Sequence, residues 1–190
     1  MALATLAFHQ AATDLLDCVC EQLDAIHTEV AGLAGCPCRK MVIAGQAAAD
    51  GCSGDCTTPG PGEWPGQLTV AVQRLYSTDR NTFPRELSVA RDARNCALPV
   101  SVAATLAVTI FRCAHGPTAG GCPPTPEELS GDAMQVHADM VAVQRAALCC
   151  FGATTSQRNG RRYVLGATTT IGPQGGCVGF QTLVTVLLEN

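Results

Sequence analysis

The stretch from Ala97 to Cys113, ALPVSVAATLAVTIFRC, constrains this chain more than any other. At every second residue, Val100, Val102, Ala104, Leu106, Val108 and Ile110 fall on one face, while Ser101, Ala103, Thr105, Ala107 and Thr109 fall on the other. Side chains alternate across a strand, so the pattern predicts a long strand with an apolar face and a small, mildly polar one. An apolar face of that length must be covered. The rest of the chain is therefore read for strands that extend the sheet and for helices that cover it.

A first helix is predicted over about Leu3 to Leu33. Phe8, Ala12, Leu16, Val19, Leu23, Ile26, Val30 and Leu33 recur at three- and four-residue intervals, opposite a polar face of Asp17, Glu21, Asp24 and Thr28. Gly32, Gly35 and Pro37 stop it. Arg39 to Ala44 reads as a short strand and Gln67 to Thr78 as a second. In the second, Leu68, Val70 and Val72 share a face that Arg74 and Tyr76 continue outward. Thr125, Pro126 and Glu128 form a capping box with proline at the first helical position. The helix they open carries one stripe of Leu129, Ala133, Val136, Met140, Val143, Ala147 and Cys150, and Gly152 ends it. Tyr163 to Ile171 and Cys177 to Glu189 supply two more strands around the tight connection Gly172 to Gly176. The order α-β-β-β-α-β-β predicts an α+β fold: a largely antiparallel sheet of about five strands with two amphipathic helices on one face. At 190 residues the chain suits one domain, 1–190. Two long connections interrupt it. Residues 45–66 are rich in Gly, Pro and Cys and are expected to project, with Trp64 anchoring the return. Residues 79–95 carry Arg80, Arg85, Arg91 and Arg94 among acidic residues.

Composition narrows the function classes. Apolar residues make up 47% and charged residues 15%, ample for a core. The net charge of -4 and the lack of a basic stretch argue against direct nucleic-acid recognition. No basic residue precedes the apolar start, as a secretory signal needs, and no apolar run is long enough to cross a membrane. Cytoplasmic assembly is expected. Twelve cysteines fit that poorly unless the protein folds reduced and later meets an oxidising exterior.

Few residues group in a way that carries chemistry. Cys36, Cys38, Cys52 and Cys56 could supply four thiolates to tetrahedral zinc, although Cys-x-Cys is tighter than the usual spacing. A disulfide between the two halves, closing the long loop, and free thiols are the competing readings. Cys113 and Cys122 flank a turn and could pair, and Cys149 or Cys150 could meet Cys177. His9, His27, His115 and His137 form no metal-binding spacing. Gly51-Cys52-Ser53-Gly54 is not a nucleophile elbow, and Gly172 to Gly176 opens a strand where a phosphate loop would open a helix. No catalytic residue, cofactor or resident metal is assigned, and the chain is expected not to be an enzyme.

The chain resembles the tail terminator proteins of long-tailed phages of actinobacteria. The resemblance spans most of the chain. It rests on the amphipathic N-terminal helix, Cys38-Arg39, Gly66 to Leu68, Phe83-Pro84, Arg112-Cys113, the proline-rich start of the second helix, Cys149-Cys150 and Gly175 to Gly179. Cys18, Cys20, Cys36 and Cys56 are departures from the pattern. The resemblance implies a structural virion protein that forms a ring, six subunits round, at the head-proximal end of the tail tube. Its partners would be further copies of itself, the tail tube protein and the head–tail connector or stopper, with assembly in the host cytoplasm. The two long connections, through Trp64, Arg80, Arg85, Arg91 and Arg94, are the expected contact regions. The alternatives are another neck or tail protein (head–tail stopper, adaptor or tube subunit) and a zinc-stabilised cytoplasmic binding module built on the Cys36 to Cys56 cluster.

Overall fold

A computed structural model of the chain describes residues 2–49, 64–87, 101–117, 121–152, 161–174 and 176–189. Arg91, Arg94, Cys52, Cys56 and the first residues of the 97–113 stretch lie outside them. The element order is α1 (Ala2–Glu29), β1 (Pro37–Ile43), β2 (Trp64–Thr78), β3 (Ser101–Cys113), α2 (Pro126–Gly152), β4 (Tyr163–Gln174) and β5 (Cys177–Glu189). This is the α-β-β-β-α-β-β order of an α+β fold.

The strands form one sheet in the order β1-β2-β3-β5-β4. Three pairings are antiparallel, and β1 with β2 is parallel, so the sheet is mixed. A parallel pair cannot be joined by a hairpin, and the connection after Ile43 is correspondingly long. It begins on the face opposite the helices, where Gln67 Nε2 donates to the Ala48 carbonyl at 3.2 Å. The first residues of the connection expected to project therefore lie against the sheet.

The helices cover one face. Ala104, Leu106, Val108 and Ile110 of β3 are buried there with Leu68, Val70, Phe180, Val184 and Val186, against Leu15, Val19 and Leu23 of α1 and Val143, Ala146 and Ala147 of α2. The other face of β3 is closed as well: Ala103, Ala107, Thr109 and Phe111 are buried. Small side chains at the centre of a sheet need only modest cover, and residues 46–49 lie beside Thr109 and Phe111. Two glycines permit the close approach of neighbouring strands to the end of β3. A Cβ at Gly66, where φ is +125°, would stand 2.4 Å from the Phe111 carbonyl oxygen, and one at Gly179 would stand 2.0 Å from that of Ile110.

Three local expectations are corrected. Helix α1 ends at Glu29, and the chain turns through Gly32 at φ +90°, which leaves Val30 exposed. A bulge between Val72 and Arg74 reverses the parity of β2. Leu75, opposite Ala104, takes the helix-side face, whereas Arg74 and Tyr76, opposite Thr105 and Ala103, take the far one. At the start of α2, Leu129 and Ala133 are exposed instead of joining the buried stripe. The capping box forms as predicted, with Thr125 N donating to Glu128 Oε2 at 2.8 Å and Glu128 N to Thr125 Oγ1 at 3.2 Å. No helix among the described residues is long and apolar enough to cross a membrane.

Candidate functional site

A buried clasp fixes α2 to the sheet and to the link between α1 and β1. Arg112, on the helix-side face of β3, donates through Nε to Asp139 Oδ2 at 2.7 Å and through Nη2 to Asp139 Oδ1 at 3.1 Å. The same Nη2 reaches the Gly35 carbonyl at 2.7 Å. Gln135 donates to Asp139 Oδ1 at 2.8 Å and to the Ala34 carbonyl at 3.2 Å, and it accepts from Ala34 N–H at 2.6 Å. Burial pushes the Asp139 carboxyl above the usual carboxylate range, with Arg112 and Gln135 pulling the other way. An ion pair this enclosed is a positioning device: it sets the rotation of α2 about its own axis.

With that rotation fixed, Val136, Asp139, Val143 and Ala147 point into the protein. Met134, Val141 and Leu148, seven residues apart, point away from it and are 53%, 45% and 56% exposed. Two turns of helix separate successive members, so they form one apolar ridge. Arg145, which pairs with Glu29 at 3.1 Å, lies beside the ridge. Most of the apolar positions of α2 serve the core; this second stripe does not.

The second uncovered surface is β4. It is the last strand of the sheet, and no charged residue occurs among its twelve. Natural edge strands are normally blunted by charge, proline or cover. β4 has bulges between Leu165 and Thr168 and between Ile171 and Gln174, yet Val164, Ala167, Thr169 and Thr170 remain exposed. Ring contact between Phe151 and Tyr163 ties its beginning to the end of α2.

A cavity of about 280 Å³ opens where the start of α2 meets the β4–β5 end, lined by Leu129, Val136, Pro173 and Val178 with His115 and Asp132 at its rim. His115 Nδ1 lies 2.8 Å from Asp132 Oδ1, and the His115 N–H donates to Asp132 Oδ2 at 2.9 Å. This pair closes the link between β3 and α2. No group of three metal-ligating side chains gathers among the described residues.

The residues singled out from sequence fare differently. Cys36 is bonded to Cys20, and Cys38 is also disulfide-bonded. Neither offers zinc a thiolate, which removes half of the proposed ligand set. Trp64, the first residue of β2, packs with its ring 4.7 Å from the His27 ring and against Gly35. Arg80 and Arg85 sit on a segment folded back on β2: Thr78 Oγ1 donates to the Arg85 carbonyl at 2.7 Å and Arg162 to that of Arg80. Phe151, two residues after Cys149 on α2, makes ring contact with Tyr163, which is opposite Val186; Cys177 begins that strand, roughly 30 Å from Val186. That distance excludes pairing of Cys149 with Cys177. The Met134–Val141–Leu148 ridge is legible in the sequence as a second heptad-spaced stripe, but a stripe alone does not reveal that the core uses the other one.

No protein-family model matches the chain. No curated protein matches it either.

Proposed function

We propose that the chain is a tail terminator of a long-tailed phage, a ring subunit that caps the head-proximal end of the tail tube and meets the neck. The observation that carries the reading is the pair of unlike uncovered surfaces on one subunit: the apolar ridge of α2 and the uncharged edge of β4. A ring closes when one surface of a subunit meets a different surface of the next, the heterologous contact of cyclic assemblies. An apolar ridge facing water and an uncharged strand edge are both costly in a lone molecule and useful in such an assembly.

The test is the assembly state of Val141→Glu/Leu148→Glu, which charges the ridge without touching a buried side chain. The unaltered protein sediments as a discrete oligomer and the variant as a monomer with an unchanged circular dichroism spectrum. A variant that assembles as the original does would remove the ridge from the account.

A further inference from the structure

Two cysteines that are free in the structure stand opposite one another. Cys113 ends β3, Cys177 begins β5, and the two are register partners in the antiparallel pairing. Cys113 is exposed and Cys177 is buried. The next pair along, Ala114 and Gly176, carries the ladder hydrogen bond, from Ala114 N to the Gly176 carbonyl at 2.8 Å. Hydrogen-bonded and non-hydrogen-bonded pairs alternate along an antiparallel ladder, so Cys113 and Cys177 occupy a non-hydrogen-bonded position. There the Cα atoms are about 4.5 Å apart and both side chains leave the sheet on the same face. That separation lies inside the span a disulfide bridges.

We propose that Cys113 and Cys177 are a latent disulfide site, closed by thiol–disulfide exchange when the folded protein meets a low-molecular-weight disulfide. The exposed Cys113 thiolate attacks the disulfide, forms a mixed disulfide and expels one thiolate. Cys177 then attacks the Cys113 sulfur and expels the second. Two protein thiols are oxidised to one S–S bond, and the small disulfide receives both electrons and both protons as two thiols. The bond would join the two central strands where the chain leaves β3 for His115 and α2. It closes the loop that contains α2 and β4, and therefore both uncovered surfaces. The proposal does not depend on the phage reading; it needs only the register of β3 and β5.

The experiment incubates the native full-length protein with glutathione disulfide, blocks remaining thiols with iodoacetamide under denaturing conditions, and maps tryptic peptides without reduction. Trypsin cuts after Arg112 and leaves Cys113 and Cys122 on one peptide, so Cys113→Ser and Cys122→Ser proteins are run in parallel. The expected result is a link from the peptide beginning at Cys113 to the peptide containing Cys177. The link persists in Cys122→Ser and is lost in Cys113→Ser, and the thermal midpoint rises on oxidation. Three results would overturn the proposal: both cysteines fully alkylated, glutathione retained on Cys113, or a link lost in Cys122→Ser and kept in Cys113→Ser. Cys113 is exposed, so its serine variant folds and the comparison stays interpretable.

Discussion

At the scale of single residues, the Arg112–Asp139 pair decides most. Removing one member leaves a buried charge without its partner, which costs about 3–5 kcal/mol. Arg112→Ala and Asp139→Ala should each show that loss in urea denaturation. Replacing both by apolar residues of similar volume should cost far less, since no charge is then stranded. The pH dependence carries its own sign. Burial raises the Asp139 carboxyl, so the native state holds this proton more tightly than the unfolded chain does. The contribution of the carboxyl to stability is therefore greatest below the usual carboxylate range and falls as pH rises through the raised native value. Asp139→Asn should flatten that part of the stability profile; a slope identical to that of the original protein would assign it to other groups. None of this was legible in the sequence. Arg112 ends a strand and Asp139 interrupts a helical stripe, and nothing in either local pattern says that the two meet.

At the scale of elements, periodicity revealed faces but not neighbours. The alternation in β3 and the capping box of α2 follow from local chemistry and form as read. The parallel pairing of β1 with β2 does not follow from alternation, because a strand's pattern is the same in either direction. The bulge in β2 adds one residue without a sequence mark, so strict alternation puts Arg74 and Tyr76 on the wrong face. The Cys20–Cys36 bond ties the body of α1 to the start of β1. It joins Cys20, to which no sequence pattern gives a role, to Cys36, which the spacing offers to zinc or to a bond across the long loop, and it closes a short loop. Reducing it, or making Cys20→Ser, should cost about 3 kcal/mol by loss of the constraint on the unfolded chain, seen as a lower denaturation midpoint. Thr125→Ala should cost about 1 kcal/mol, because the N–H of Glu128 then loses the hydroxyl that accepts its hydrogen bond.

At the scale of the whole molecule, one face of the sheet is thickly covered, while the outer side of α2 and the edge at β4 are left for something else. The edge makes a prediction separate from the ridge. Thr169→Lys places a charge on an exposed position of β4 and should block pairing with another strand without altering the subunit fold. Assembly measured by sedimentation should fall, and the unfolding free energy from urea denaturation should hold within about 0.5 kcal/mol of the original. The central claim is that these two surfaces close one subunit onto the next in a ring. Native mass spectrometry of the purified protein tests it most directly. The account predicts a single closed species at six times the 19.6 kDa chain. A strict monomer at every concentration, or an open ladder of sizes with no preferred number, would contradict it.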